Sequence, residues 1–374
     1  MRLKKFLIRA SLLLKLCTTI FTSLSYSQTT TYYGLNAGAL GSNNSHYGFE
    51  SGLNSNINAQ NNVFVGFQTG LSNTSGSTNT FVGSLSGSSN ISGSNGTFIG
   101  FYAGSSISSN PDNTMIGAYS GRFNNGTLNT FLGANSGSNS SNGSENVYIG
   151  SYSGYNSTGD KSIFIGRNAG VGLVSYNGGN NIFIGHSAGA SSSTFRSLLI
   201  GNSAGFKLEE EDNCIIGLES GYEMVNGRFN TIVGMYAARY SNGLTSNSNN
   251  YNCFFGYASG YNNQSGHNSF FGHASGISNL SGNSNCYFGF ESGKSNIAGN
   301  GNSFFGMNAG HESTGSNNIF IGSHSGYTNT GSGNIIIGST NGVSSTSSNT
   351  LFIDNEPHHP APLILATFLQ IKLE

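Results

Sequence analysis

The chain has 374 residues, of which 56 are Gly, 4 are Pro and none is Trp; only 8% are charged, and the formal net charge is −1. That is far from an ordinary globular composition, in which about a quarter of residues are charged, and it leaves no basic excess to recruit nucleic acid. Abundant Gly, Ser and Asn would suit a disordered linker, but 26 Phe and 18 Tyr recur in a fixed register that linkers lack.

Residues 1–27 read as a secretory signal peptide. Arg2, Lys4, Lys5 and Arg9 form a basic start, Ala10 to Leu24 is mostly apolar apart from Lys15, and Ser25-Tyr26-Ser27 places small residues before Gln28. The apolar run is short of the roughly 20 residues of a membrane span, and no lipobox surrounds Cys17. Cleavage would leave nine Lys and Arg against 15 Asp and Glu, a net charge of −6. The expected location is secreted or on the cell surface.

From residue 28 to 348 one phrase repeats: a hydrophobic triplet, Gly, two variable residues, Ser or Ala, then Gly. Asn79-Thr80-Phe81-Val82-Gly83-Ser84-Leu85-Ser86-Gly87 is one copy. Counting from the first Gly as slot 0, nineteen copies run from Gly34 to Gly338, mostly 16 or 17 residues apart. Longer spacings at 171–179 and 240–249 mark extra loops. A fixed period is one small structural unit stacked many times. β-Branched and aromatic residues followed by Gly predict a short strand and a bend, and helix is excluded at this Gly density. The fold class expected is all-β: a parallel β-roll or solenoid of about 19 short coils, roughly 90 Å long at 4.8 Å per stacked strand.

Slots −1 and −3 share one face of a period-two strand, and slot −2 points the other way. Slot −1 is aliphatic or Phe and slot −3 small or β-branched, so these two are placed inward. Slot −2, outward on this reading, carries Phe64, Phe81, Phe98, Phe131 and Phe164, then Phe183, Phe254, Phe270, Phe304 and Phe320. An exposed aromatic ladder of that length needs a cover, which makes these residues the expected oligomer interface; the competing arrangement covers the rings within one chain. Slot −4 is Asn from Gly66 to Gly338, apart from Gly96, Ser162 and Ser197, and is expected to form a scaffold ladder of stacked amides. Cys214, Cys253 and Cys286 all occupy slot −3 and are read as small core residues, with no CxxC or Cys/His pattern for a metal.

The phrases Asn-x-φ-φ-Gly and x-x-Ser/Ala-Gly resemble the head repeats of trimeric autotransporter adhesins, the YadA-like left-handed parallel β-roll, over about residues 33–343. The resemblance implies a homotrimer of side-by-side rolls, outer-membrane association, and cell adhesion to extracellular protein or polysaccharide. The repeat is longer here, slot −2 is bulkier, and no heptad stalk or anchor barrel is evident. After 348 the pattern changes. Asp354 replaces the Gly, and Pro357, His358, His359, Pro360 and Pro362 precede an apolar tail, so 349–374 reads as a cap or transition segment.

No cofactor, metal or enzymatic activity is expected. Asp residues fall at unrelated slots, and the densest acidic run, Glu209 to Asp212, reads as a charged loop on a solvated rim. Aromatic rings at the variable slots are the candidate ligand contacts: Phe101, Tyr102, Tyr119 and Tyr152, with Tyr155, Tyr222, Tyr257 and Tyr261. The function expected is an adhesin-like head or spacer acting through many weak contacts. The alternative is a purely structural fibre shaft with specificity elsewhere. Ice binding would require an outward Thr row, whereas slot −3, which holds most Thr, is placed inward.

Overall fold

A computed structural model describes residues 30–172, 179–242, 249–339, 346–354 and 364–367. The signal peptide expected at 1–27, and His358 and His359, lie outside the described residues. The described residues form a parallel β-solenoid without helices. The chain divides into two compact units, one to Pro111 and one from Asp112.

The first unit contains β1 (Thr31–Tyr33), β2 (Ser45–Tyr47), β3 (Val63–Val65), β4 (Thr80–Val82) and β5 (Thr97–Ile99). The second opens with β6 (Thr114–Ile116), β7 (Thr130–Leu132), β8 (Val147–Ile149), β9 (Ile163–Ile165), β10 (Ile182–Ile184), β11 (Leu198–Ile200), β12 (Cys214–Ile216) and β13 (Thr231–Val233). It continues through β14 (Cys253–Phe255), β15 (Ser269–Phe271), β16 (Cys286–Phe288), β17 (Ser303–Phe305), β18 (Ile319–Ile321), β19 (Ile335–Ile337), β20 (Thr350–Ile353) and β21 (Ile364–Thr367). Within each unit every strand pairs in parallel with the next, slot against identical slot: Phe64 lies beside Phe81, and Phe304 beside Phe320. β20 continues this stack on β19, and β21 pairs antiparallel with β20.

The two faces of the sheet are the reverse of those expected. Slot −2 is the core. Phe64, Phe81, Phe131, Phe254, Phe270, Phe304 and Phe320 are fully buried inside their own chain, and Phe98, Phe164 and Phe183 are at most 3% exposed. None of the ten is presented to a neighbouring molecule, so the interface assigned to them does not hold and the intrachain arrangement does. Slots −1 and −3 point outward, as the strand burial patterns show throughout. Cys214, Cys253 and Cys286 are accordingly half-exposed surface residues rather than core.

Volume explains the inversion. Each coil encloses one large slot −2 side chain, in most coils beside a second buried residue at slot +7, such as Asn90, Ile107 or Met224, and Gly at slot +4 makes room for the first. Gly87 has φ +57, and a Cβ there would sit 2.5 Å from Cε2 of Phe81. The ring lies directly on the glycine backbone. Slot 0 is restricted by the neighbouring coil instead: at Gly83, φ +124, a Cβ would lie 2.5 Å from the Gly100 carbonyl oxygen. Between them, slot +3 is small and bonded, with Ser86 Oγ donating to the Phe98 carbonyl at 2.9 Å. The rings stack coil on coil: Phe81 and Phe98 have centroids 4.5 Å apart with planes 1° from parallel, and Tyr287 and Phe304 are 4.9 Å apart at 8°.

The Asn row is buried scaffold; amide-to-amide bonds of the ladder expected appear at Asn62 to Asn44, 3.2 Å, and Asn230 to Asn213, 3.0 Å, but the bond that recurs is to backbone. Asn62 Oδ1 accepts the backbone N–H of Asn79 at 2.9 Å, and Asn79 Nδ2 donates to the Gly93 carbonyl at 2.8 Å. Each Asn thus ties a strand entry to the next coil's turn. Ser162 and Ser197 make the same bond at longer range, accepting from Asn181 and Asn213 at 3.3 and 3.2 Å. Two non-glycine residues per coil also adopt left-handed backbone, such as Thr78 at φ 58 and Leu85 at φ 60. That conformation costs roughly 1–2 kcal/mol per residue, offset by N–H bonds to the preceding coil: Thr78 to Gln60 and Leu85 to Phe67, both 2.8 Å.

Two outcomes follow. Phe131→Ala should lose about 3–5 kcal/mol, as buried Phe truncations do, while Val82→Asp on the open face should stay within about 1 kcal/mol of the parent; thermal or denaturant unfolding followed by circular dichroism decides. His46, alone among the slot −2 residues in being ionisable near neutrality, is buried, stacks on Phe64 at 4.9 Å and is bonded through Nδ1 to the Gly38 carbonyl at 2.8 Å. Burial holds its pKa below the ordinary 6.5. The unfolded chain therefore takes up the proton first, so stability is complete above about pH 6.5 and falls as pH drops below it. Hydrogen exchange of residues 30–60 should quicken between pH 7.5 and pH 5, and His46→Phe should remove that acid sensitivity.

Candidate binding surface

The outward ranks carry the surface chemistry. Slot −1 is aliphatic or aromatic on every strand from β1 to β20 and ranges from half-buried, as at Val82 and Ile116, to exposed, as at Phe288, 54%, and Tyr33, 79%. No strand from β1 to β20 holds an Asp, Glu, Lys or Arg. Slots −5 and −3 flank the same shallow groove: Arg196, Asp212 and Phe229 line it together with Leu198, Cys214 and Thr231. The face is most aromatic at β13–β17. There Phe255, Phe271, Phe288 and Phe305 form a slot −1 row, with Phe255 and Phe271 stacked at 5.2 Å. Tyr257, His273 and Phe290 form a slot +1 row at 4.9 and 5.0 Å. Phe229, Tyr251 and His267 form a slot −5 row at 5.1 and 5.2 Å. Sequence reasoning missed this face because it placed slot −1 inside.

The eight aromatic contact candidates do not form one site. Phe101 is exposed and meets Tyr102 edge-on at 4.5 Å, and Tyr152 is exposed and meets Tyr155 edge-on at 5.6 Å. Tyr119 is half-buried beneath the Arg122 guanidinium. Tyr222 stacks on Phe206 at 5.0 Å, and Tyr257 on His273. Tyr261 packs edge-on against Tyr240 at 5.1 Å. The structure does bring Tyr222, Tyr236, Tyr240 and Tyr261 together around Arg239, which bonds Glu219 and both Tyr240 and Tyr261 hydroxyls. That cation is already satisfied by its own chain. Where rings stack along the coils, each face is covered by the next ring, leaving the edges outward; a sugar that packs on a ring face finds fewer platforms than the Tyr count suggests.

The acidic run is tied into ion pairs. Arg196 grips Asp212 with two bonds, Nε to Oδ1 at 2.7 Å and Nη2 to Oδ2 at 2.8 Å. Arg228 reaches Glu210 at 2.6 Å and Glu211 at 3.2 Å. The bond from Arg196 holds the Asp212 carboxyl below its ordinary range. Such pairs couple neighbouring coils without forming an unpaired acidic centre, and exposed pairs of this kind are each worth about 0–1 kcal/mol. Among the described residues no group of three or more His, Cys, Asp or Glu is placed to hold a metal ion. Cys214, Cys253 and Cys286 stand on alternate strands, with Thr231 and Ser269 between them. Two strand spacings are about 9.6 Å, beyond disulfide reach, and partial burial raises each thiol pKa.

Slot −3 also turns its Thr outward, against the inward placement expected. Thr80 and Thr97 do so in the first unit, Thr114 and Thr130 in the second. The row then continues as Val147, Ile163 and Ile182, so no sustained Thr rank exists.

No protein-family model matches this chain, and no curated protein matches it.

Proposed function

We propose that the chain is a secreted or surface-displayed, non-catalytic attachment scaffold, a head or spacer that holds a target through repeated weak contacts. The observation that carries this reading is the repetition of the outward ranks: whatever one coil offers a target, the next offers again about 4.8 Å further on. Multivalent contact of this kind reaches useful avidity from poor single sites. The interior supports the same reading, because its polar atoms are largely spent on holding coils together, as Asn62, Asn79 and Ser86 show. The targets proposed are extracellular protein or polysaccharide surfaces, and the resemblance to YadA-like heads adds three copies side by side. The rival is a plain fibre shaft, favoured by the pairing of so many aromatic rings with their own neighbours.

The test is binding of the full chain to arrays of extracellular-matrix proteins and polysaccharides, beside a variant with Phe101, Tyr152 and Tyr257 changed to Ser. An attachment scaffold should bind at least one class, with apparent affinity weakened about tenfold or more in the variant. No binding, or equal binding by the variant, favours the shaft.

A further inference from the structure

We propose that the outward face of the parallel sheet is covered by a second copy of this chain, packed sheet on sheet through slots −1 and −3. Three observations on the second unit carry it. The face has no charge: none of β6 to β20 contains an acidic or basic residue, so the surface does not repel its own image. The face is large enough. Fifteen three- or four-residue strands at about 4.8 Å spacing and about 3.3 Å rise give roughly 70 by 10 Å, so about 700 Å² from each copy, within the range of stable protein pairs. The face is also periodic. Its ranks present one residue per coil, in register from β6 to β20, and side chains interdigitate over that length only with a surface of the same spacing. A second copy has that spacing.

The border fits an interface rim. From β8 to β12 polar and charged residues begin at slot −5, where Glu145, Lys161, Arg196 and Asp212 stand, while at β13 and β14 the same slot extends the apolar area with Phe229 and Tyr251. Packing would bring facing sheets to about 10 Å and would enclose Cys214, Cys253 and Cys286, which are half-exposed in the single chain. This inference rests on the strand faces and not on the three side-by-side copies that the resemblance adds: a chain that pairs without binding any target, or binds as a monomer, separates pairing from attachment.

The experiment is light scattering on a sizing column with the full chain over a wide concentration range, with maleimide labelling of each thiol followed by peptide mass spectrometry. The expected result is a discrete oligomer whose Cys214, Cys253 and Cys286 label slowly, and faster on dilution. Phe288→Glu, on the most exposed slot −1 ring of the row, should retain the β-sheet circular dichroism, weaken association about tenfold or more, and speed labelling. Tyr155→Glu, off this face, should change neither. A native chain that stays monomeric at every concentration overturns the proposal. So does an oligomer with freely labelled thiols, or one indifferent to Phe288→Glu.

Discussion

The structure depends on one fit: a large side chain at slot −2 lying on the bare backbone of the glycine at slot +4. Phe81 on Gly87 is representative, with no space for even a methyl group between ring and chain. This contact draws the coil onto its ring and sets each ring parallel to the next near 4.5–5 Å. Offset stacking at that separation is favourable beyond simple burial, and the parallel strand spacing of about 4.8 Å delivers it without adjustment. Leu199, Ile215 and Ile232 fill the same slot where the aromatic column is interrupted, so the coil requires bulk there and tolerates loss of the stack.

The repeat, the three-residue strand and the bend at each Gly were legible in the sequence because they rest on local rules of spacing and backbone preference. The faces were not. Period-two alternation says that Val63 and Val65 share a side and Phe64 takes the other, but it does not say which side is wet. Hydrophobicity could not decide, because both sides are apolar. The deciding signal lay six residues away: from Tyr32 to Phe320 every slot −2 ring is followed six positions later by a glycine, and a Gly that must accommodate a ring implies that the ring is inside. Read as a turn requirement alone, that glycine lost its meaning.

The same error of faces spread to the candidate surface. With slot −1 inside, the Phe255 to Phe305 row could not be seen as a surface, and Tyr at the variable slots stood out by default. Several of those Tyr belong to local assemblies such as the cluster on Arg239, where the rings and hydroxyls already serve a cation of the same chain. The Asn row, by contrast, was legible in role because a buried amide must bond. Its recurring partner, a backbone N–H one coil away, depends on the coil geometry and not on the row itself, and amide-to-amide bonds join it at Asn44 to Asn62 and Asn213 to Asn230.

The outward slots differ in how freely they vary within this one chain, and that difference bears on what covers them. Slots that face water drift in chemistry from coil to coil: slot −5 runs through Glu145, Lys161, Asn180 and Arg196, and slot +1 through Ser151, Arg167, His186 and Asn202. Slot −1 is as outward as these, yet from β3 to β20 it is always aliphatic or Phe. Sheet propensity alone does not account for that restriction, since Thr and Tyr are also good strand formers. Nor does the interior, which slot −1 does not touch. A solvated edge-on row has no reason to exclude Lys or Glu at every coil, and charged residues on exposed strands would lower the hazard of unwanted pairing. Retaining an apolar row at that hazard is the behaviour of a surface that is dry in its working state.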